Sequence, residues 1–287
     1  MNAAFKQPRE RDSQPEPAPV ATIRSTEFVR RMRGASQPHL MRGEDGNYYV
    51  VKFQNNPQHV RILTNEMLAA RLALLIGLPV PEPAFVEVPA ELIQGNPQLV
   101  MEVGARSEPC APGVQFGSCF PGTPGETVVV DFLPDSMLRK VQGLDSAFPG
   151  AFAFDKWTCN CDGRQVIFAR SNGERSPYSP WMIDHGFCFN DGEWNFPDSA
   201  IRSLYPRRLV YEHVRGLESF EPYLSRIENL EATQIEACLN EIPAEWCGDE
   251  PGELTRLAER LHTRRRWVRQ SIVDAKNCEL RPFPNWK

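Results

Sequence analysis

Two groups of polar residues, far apart in the chain, could together hold and transfer a phosphate group. The first is Lys52, within the apolar run 49–53, and Glu66 in the apolar stretch that follows. The second is Asp162 and Asp184, each beside a run of apolar residues. Phosphoryl transfer from a nucleotide uses a lysine on the phosphates, a carboxylate that pairs with it, a base and a metal-binding carboxylate. These residues in this order therefore predict a phosphotransferase.

Each of these residues also has a simpler interpretation. Lys52 on an alternating strand could point into solvent, and an aspartate often belongs to a turn. Glu66 favours the functional interpretation, because the helix that carries it can pack over the strand and pair its carboxylate with Lys52. Asp162 is interpreted as the base, and Asp184 as a ligand of Mg²⁺ on the phosphates. Gln165, three residues after Asp162, offers an amide oxygen as a second metal ligand.

Further nucleotide-binding positions are predicted in two segments. The first is a short turn between two expected strands, made of Gly34, Ala35, Ser36 and Gln37. Its glycine permits close backbone approach, and its N–H groups could meet phosphate oxygens, although a plain hairpin turn is the alternative. The second segment follows the apolar run 99–101, where backbone groups of Glu102 and Val103 are expected to hold adenine.

The elements that must position these residues can be traced from the pattern of apolar and turn residues. Strands are predicted at 22–33, 39–42, 48–53, 84–88 and 98–103, a five-stranded antiparallel arrangement. One helix at 65–76, with Thr64 as its N-cap, lies between the third and fourth strands. The segment 104–125 is rich in Gly, Pro and Ser and is expected to be irregular, marking the boundary between two lobes.

The second half of the chain is expected to be mainly helical. A hairpin over 166–183 with its tip at 172–180 interrupts it, and helices are predicted at 199–205, 233–240 and 252–277. The chain is thus divided into a disordered, Pro-rich tail at 1–20, a nucleotide-binding lobe at 21–103 and a catalytic lobe at 104–287. The expected fold class is α+β: a small antiparallel five-stranded lobe with one helix, and a larger, mainly helical lobe.

Composition argues against several classes of protein. A net charge of −5 disfavours a general nucleic-acid binder. No run of about 18 apolar residues predicts a membrane span, and no apolar secretory segment is present, so a cytoplasmic location is expected. Cys159, Cys161 and Cys188 could suggest zinc, but the Cys-x-Cys spacing is not the usual one. Free thiols in a reducing compartment are the preferred interpretation.

Several stretches of residues 23–189 resemble the HipA-like kinase family, bacterial members of the protein-kinase-like superfamily. They are GASQPHL, YYVVKF, NEMLAARLALLIGLPVPEP, PGVQFGS, FDKWTCNCDGRQVIF and MIDHGFCF. The resemblance implies binding of ATP and Mg²⁺ and transfer of the γ-phosphoryl group to a Ser or Thr hydroxyl of an unidentified acceptor, expected to be a protein. It implies that Lys52 clamps phosphates and pairs with Glu66. It also implies that Asp162 is the base and that Asp184 holds the metal.

The chain departs from the family pattern in two places. The usual catalytic loop has a metal-binding Asn about five residues after the base, where this chain has Gln165 after three. The usual Asp-Phe-Gly triplet reads Asp-His-Gly here, which keeps the carboxylate of Asp184 but not the apolar residue. Two alternatives stay open: an inactive pseudokinase that binds nucleotide or a partner, and a kinase-fold enzyme that transfers AMP or phosphorylates a small molecule.

Overall fold

The strands and helices are those of a computed structural model that describes residues 17–171, 177–248 and 252–287. The strands within these ranges are β1 (Ala21–Arg31), β2 (His39–Gly43), β3 (Tyr48–Lys52), β4 (Pro83–Val88), β5 (Val100–Val103), β6 (Arg106–Pro109), β7 (Gly113–Cys119), β8 (Thr127–Val130), β9 (Gln165–Ser171) and β10 (Ser179–Ile183). The α-helices are α1 (Ile62–Leu75), α2 (Ala90–Gln94), α3 (Asp135–Leu138), α4 (Leu144–Thr158), α5 (Tyr223–Glu228), α6 (Ala232–Leu239), α7 (Glu253–Arg264) and α8 (Val268–Asn277).

The first half of the chain forms a closed five-stranded barrel with the strand order β1-β2-β3-β7-β4. Four of its strand pairs are antiparallel, and the barrel closes where β1 runs parallel to β4. Apolar side chains that alternate along the strands fill its interior, among them Met41, Val51 and Val86, which are at most 1% exposed. This arrangement holds β3, and with it Lys52, between β2 and β7.

The barrel corrects two predictions. The first four predicted strands are confirmed, but the fifth barrel strand is β7, whereas β5 pairs with β6 in a separate two-stranded hairpin. The segment 104–125 is therefore not irregular, because it holds β6 and β7. The predicted lobe was also purely antiparallel, whereas β1 and β4 pair in parallel. The division of the chain at 103 and 104 stays a prediction, and the barrel sheet extends beyond that point through β7.

Helix α1 lies between the barrel and the helical half of the molecule, in contact with β4, β7 and α6. Nearly all of its residues are buried, as expected for a helix covered on all sides. The helix begins at Ile62 after Arg61, so the prediction of Thr64 as N-cap is wrong. The Thr64 hydroxyl instead donates a hydrogen bond to the carbonyl of Trp246, 2.9 Å away, which joins α1 to the helical half.

The second half of the chain surrounds helix α4, which is mostly buried. Gly150 allows α4 to approach α5 closely, because a Cβ atom at this position would lie 2.4 Å from the ring of Tyr223. The hairpin predicted at 166–183 is confirmed as β9 and β10, with β8 as a third strand on β9. Residues 172–176 of its predicted tip lie outside the described residues, as does the tail up to residue 16.

Two of the predicted helices differ in the structure. Residues 199–205 form bends and turns rather than a helix. The predicted long helix at 252–277 is divided into α7 and α8 by a 3₁₀ turn, Arg265–Trp267. The helix predicted at 233–240 is confirmed as α6. In the described part of the chain, we find no helix with the length and apolar character that crossing a membrane requires.

Candidate functional site

A cavity opens between the barrel and the β8–β10 sheet, and it collects most of the residues singled out above. Its apolar wall includes Val50 and Phe116 from the barrel and Ile167 and Met182 from the opposite sheet. The chain segment that leaves β7, Cys119–Phe120–Pro121, borders it on one side. A cleft with apolar faces and a few convergent polar groups is the usual form of a small-molecule site.

Lys52 lies at the polar end of this cavity, where its ammonium bridges two carboxylates. The Nζ atom forms an ion pair with Oε1 of Glu66 and a second with Oδ1 of Asp184, at 2.7 Å. Lys52 is 6% exposed and Glu66 is 2% exposed, so both are withdrawn from solvent. The other oxygen of Glu66, Oε2, accepts a hydrogen bond from the backbone N–H of His185 at 3.0 Å. The predicted pair of Lys52 and Glu66 thus exists and extends to the predicted metal ligand.

The electrostatics of this cluster keep Lys52 and Asp184 charged at neutral pH, whereas burial raises the pKa of Glu66 against the opposing effect of the Lys52 ammonium. Burial alone would lower the pKa of Lys52, but the nearby carboxylates of Glu66 and Asp184 outweigh it and raise that pKa. Burial acts to raise the pKa of Asp184, but the Lys52 ammonium outweighs it and lowers the pKa of that carboxyl to about 2. The Asp184 carboxyl is therefore ionised in the folded protein at neutral pH.

The backbone around Asp184 has to turn sharply to bring its carboxylate to Lys52. Asp184 follows the last residue of β10 and has a φ of 58°, in the left-handed region. Two residues later, a Cβ atom on Gly186 would lie 2.8 Å from Ile62 and 3.1 Å from Oε1 of Glu66. Glycine is therefore required at this point, because the loop passes directly against α1.

Asp162 lies on the loop before β9 and Gln165 is the first residue of that strand, in a part of the site that is more open to solvent. Both residues are exposed, and the amide nitrogen of Gln165 approaches Oδ2 of Asp162 at 3.5 Å. Gln165 also borders the cavity with Asp184, because it pairs across the sheet with Ile183. The loop thus brings the predicted base and the predicted second metal ligand together. Asp162 itself is not among the residues that line the cavity.

A buried ion pair that the sequence analysis did not identify supports this loop from below. Arg164 donates from Nε to Oδ2 of Asp155 at 2.9 Å and from Nη2 to its other oxygen, and both side chains are buried. Asn160 donates from Nδ2 to the same carboxylate at 3.1 Å and accepts at Oδ1 from the N–H of Asp162. Arg164 also reaches the carbonyl of Ile183, at 3.0 Å. The pair therefore fixes the Asp162 loop and the strand leading to Asp184 relative to each other.

The available signal for this pair was the charged Asp155 inside the apolar run AFAFDKW. A carboxylate in such a run is rarely buried without a partner. Nothing in the spacing, however, identifies Arg164 as that partner, because the two residues meet only after the chain has left α4 and turned back.

The segment after Asp184 is held at both ends by buried side chains that donate to backbone carbonyls. Asn65 donates from Nδ2 toward the carbonyls of Gly186, Cys188 and Asp191, at 2.7 to 3.0 Å. The Nζ atom of Lys156 lies within 3.2 Å of three carbonyl oxygens further along. Those three belong to Ser199, Ala200 and Arg202. Helix α1 contributes the first of these two side chains and helix α4 the second.

The turn between β1 and β2 contributes two of its four predicted residues to the cavity. Gly34 and Ser36 line it, and the carbonyl of Ser36 accepts a hydrogen bond from Asn56 at 2.7 Å. Ala35 is exposed and is not among the lining residues. Gln37 is not among them either, because its side chain is bound to the backbone of Glu102, with contacts of 2.7 and 2.8 Å.

The placement of Glu102 and Val103 contradicts their predicted role beside adenine. Both lie in the β5–β6 hairpin, are exposed and are absent from the cavity lining. The error follows from the strand assignment: the strand that leads out of the barrel is β7, so the segment bordering the cavity is 119–121. The Gly- and Pro-rich composition around β7 concealed its alternating residues VQFGSC.

The candidate metal ligands are oxygen donors. Asp184 supplies a carboxylate and Gln165 an amide oxygen, and both border the cavity. Mg²⁺ prefers oxygen ligands and is usually held by one or two protein groups together with substrate phosphates and water. No group of three or more His, Cys, Asp and Glu side chains in the described ranges is arranged to hold a metal. The donor set of Asp184 and Gln165 fits Mg²⁺.

The fold has a counterpart among known structures. The crystal structure of the Helicobacter pylori proinflammatory kinase CtkA is 15% identical, with a TM-score of 0.53 over 93% of this chain and 99% of that chain. Two structures of the Golgi casein kinase, one with Mn and ADP bound, have TM-scores of 0.49 and 0.45 at 13% and 12% identity. They cover 90% and 89% of this chain and 74% of each of theirs.

The similarity to CtkA shows a kinase fold and nothing finer, since the two sequences have diverged so far. No curated protein matches the chain. A family model described as HipA-like kinase matches residues 26–272, which is most of the chain and includes every residue of the site. This match confirms the resemblance seen in the sequence, and the protein belongs to the HipA-like kinase family.

Proposed function

We propose that this protein is an ATP- and Mg²⁺-dependent kinase that transfers the γ-phosphoryl group to a Ser or Thr hydroxyl of a protein acceptor. The observation that carries this proposal is Lys52, buried at the cavity wall and bridging Glu66 and Asp184. A lysine held in this way is ordered before the nucleotide binds, so its ordering costs less free energy at that step, which supports a role on the α- and β-phosphates. The cytoplasm remains the predicted location.

The chain's own residues divide the work on the phosphates. Lys52 neutralises charge on the α- and β-phosphates, and the turn with Gly34 and Ser36 covers them from the barrel side. Asp184 and Gln165 would hold Mg²⁺. A metal ion held by these two residues would supply positive charge against the negative charge of the phosphates.

Asp162 is proposed to accept the proton of the attacking hydroxyl. It is exposed and lies next to Gln165 at the edge of the cavity, so a Ser or Thr side chain of an acceptor can approach it from solvent. The buried pair of Asp155 and Arg164 holds its loop in place. A base must be within hydrogen-bond reach of the proton that it removes, which a fixed loop makes possible.

The test is transfer of label from γ-³²P-ATP in the presence of Mg²⁺, to the protein itself or to a bacterial lysate. Wild-type protein should transfer label, and Asp162→Asn, Asp184→Asn and Lys52→Met should each reduce transfer by about 10²-fold or more. Asp274→Asn, an exposed carboxylate on α8, is the matched control and should behave as the wild type. Transfer that survives all three site substitutions would overturn the proposed roles.

A pseudokinase that binds nucleotide without turnover is the second candidate, and Gln165 is the observation that favours it. Gln165 stands in a shortened loop where the family has a metal-binding Asn. Thermal stabilisation of the protein by ATP and Mg²⁺, with no transfer of γ-label, would identify this function. Label transferred from α-³²P-ATP instead would identify an AMP transferase.

A further inference from the structure

Asp184 is flanked on both sides by contacts to a single nitrogen atom of Arg164. The Nη1 atom lies 3.0 Å from the carbonyl oxygen of Ile183 and 3.2 Å from Nδ1 of His185, the residues immediately before and after Asp184. The Nε and Nη2 atoms of the same guanidinium are bound to the carboxylate of Asp155. A buried ion pair therefore orients Arg164, and the remaining nitrogen spans the proposed metal ligand.

The contact between Arg164 and His185 can have only one polarity. A guanidinium donates hydrogen bonds and cannot accept them, so Nδ1 of His185 is the acceptor and carries no proton. His185 is 3% exposed, and its ring packs edge-to-face against Phe154, with 6.0 Å between the ring centroids. The phenylalanine of the usual Asp-Phe-Gly triplet could make the ring contact, but it could not accept a hydrogen bond. His185 thus adds a buried acceptor at the position where the chain departs from the family pattern.

The backbone of Asp184 has a conformation that its neighbours must hold. Its φ of 58° lies in the left-handed region, which is unfavourable for a residue with a Cβ atom. In this conformation its carboxylate meets Lys52 at 2.7 Å, and the next N–H, that of His185, donates to Glu66 at 3.0 Å. Because Arg164 holds the residues on both sides, a return of Asp184 to a commoner φ would disturb both of its Nη1 contacts.

We propose that His185 is a positioning residue for phosphoryl transfer: its Nδ1 atom, by accepting from Arg164, holds the Asp184 carboxylate in the direction in which it meets Lys52. This inference rests on the proposed function, in which Asp184 holds Mg²⁺. It also gives Arg164 a second role. Besides supporting the loop of Asp162, Arg164 couples that loop to the metal ligand through His185.

Two substitutions separate the hydrogen bond from the packing of the ring. His185→Phe keeps an aromatic ring against Phe154 and removes the acceptor. His185→Asn keeps an oxygen that can take the place of Nδ1 but loses the ring contact. Arg164 can stay paired with Asp155 in both variants, so both should fold. His213→Phe makes the first change at an exposed histidine and is the matched control, expected to behave as the wild type.

Metal-dependent binding of ATP reports on Asp184 without requiring turnover. Dissociation constants for ATP are measured by calorimetry with full-length protein in Mg²⁺ and in EDTA, and their ratio is the gain from the metal. We expect His185→Phe to reduce this gain by about threefold or more, while binding in EDTA stays within about twofold of the wild type. The rate of γ-label transfer should fall by about tenfold, the usual effect of one lost hydrogen bond to a charged group.

His185→Asn should show the opposite balance of activity and stability. It should transfer label at least about threefold faster than His185→Phe, because the acceptor for Arg164 is kept. Urea denaturation should nevertheless show that His185→Asn is the less stable of the two, because a ring has been removed from a buried site. If the ring served only to pack, the more stable variant would also be the more active one.

Equal gains from Mg²⁺ in the wild type and in His185→Phe would overturn the inference. Transfer by His185→Asn that is no faster than transfer by His185→Phe would overturn it as well. Asp184→Asn distinguishes these results from failure of the proposed function. If Asp184→Asn lowers the gain from Mg²⁺ and His185→Phe does not, Asp184 keeps its proposed role and His185 has no part in placing it. If Asp184→Asn leaves the gain unchanged, the proposed metal site is wrong, and the inference is wrong with it.

Discussion

Lys52 and Asp162 belong to opposite sides of the same cleft, yet their surroundings differ sharply. Lys52 is buried and paired with two carboxylates, whereas Asp162 is exposed on a loop. The proposed roles account for the difference. A group that holds phosphates benefits from a fixed position and from low screening by water, while a base must be reached by an acceptor. Rigidity at the Asp162 loop is supplied instead by a buried ion pair one layer below.

A buried basic group that lacks carboxylate partners loses its charge, whereas Lys52 keeps its charge. His39, on strand β2 of the same barrel as Lys52, is fully buried between Phe28 and Phe53, and neither ring nitrogen makes a hydrogen bond of normal geometry. Burial, with a smaller contribution from the charge of Arg31, lowers the pKa of His39 to about 4. The barrel therefore keeps one basic group charged and another neutral, and the carboxylates around Lys52 make the difference.

The largest effect is expected from breaking the ion pair beneath the exposed loop. Arg164→Met would leave the carboxylate of Asp155 buried without its main partner, which should lower the free energy of unfolding by about 3–5 kcal/mol in urea denaturation. The control is Arg139→Met, which removes an exposed pair with Glu212 and should change stability by no more than about 1 kcal/mol. Equal effects of the two substitutions would contradict the supporting role of Asp155.

The next largest effect concerns His39 and depends on pH. Above the unfolded-state pKa of about 6.5, both states are neutral at this residue and it contributes no pH dependence. Between pH 6.5 and 4 the unfolded chain binds a proton that the folded protein does not, so the free energy of unfolding falls by about 3 kcal/mol. Urea denaturation from pH 7 to 4 should show this loss in the wild type and a smaller loss in His39→Leu. The prediction would be refuted if the free energies of unfolding of the wild type and of His39→Leu changed with pH in parallel.

A smaller effect is expected at the contact between α1 and the segment that follows Asp184. Asn65→Asp keeps an acceptor for Trp194 but replaces two N–H donors with oxygen among three carbonyls, which should lower the free energy of unfolding by about 2–3 kcal/mol. Asn229→Asp makes the same chemical change at an exposed residue, where water can replace the lost hydrogen bond to the carbonyl of Ser225, and should cost no more than about 1 kcal/mol. A thermal unfolding series with both variants measures the difference.

The smallest change in stability is expected at Asp162 itself. Asp162→Asn retains the acceptor for the N–H of Gly163 on an exposed loop, so the free energy of unfolding should stay within about 0.5 kcal/mol of the wild type. Phosphoryl transfer should nevertheless fall by about 10²–10⁴-fold if this residue is the base. If the free energy of unfolding fell together with phosphoryl transfer, Asp162 would have a structural role. It would then no longer contrast with Lys52.

The barrel side of the site could be predicted from sequence because its parts are local. Lys52 ends a strand of β-branched and aromatic residues, and Glu66 lies in the helix that follows directly, so one connection brings them together. Asp184 could be predicted from the Asp-His-Gly turn, because such a turn ends a strand. The bridge from Lys52 to the carboxylates of Glu66 and Asp184 joins these parts. It could be found only from the folded structure.

The features that sequence reasoning missed depend on contacts between distant segments. The pairing of β7 with both β3 and β4 decides which residues border the cavity, and no local signal distinguishes β7 from β5 as the fifth barrel strand. Asp155 and Arg164 meet only after a turn of the chain. Gln37 likewise hydrogen-bonds to Glu102 because the β5–β6 hairpin packs against the turn between β1 and β2. Composition does not predict this packing.

The parallel pairing of β1 with β4 has a consequence for how the protein is made. Strand β1, which begins at Ala21, finds its second partner at Ala84, about 60 residues later in the chain. Contacts between residues so far apart in the chain form slowly, because the chain loses conformational entropy in closing the loop before these contacts stabilise it. Until β4 has been synthesised, one edge of β1 can pair with a strand of another chain. Closure of the barrel removes that edge, and thereby protects the finished protein from aggregation through this sheet.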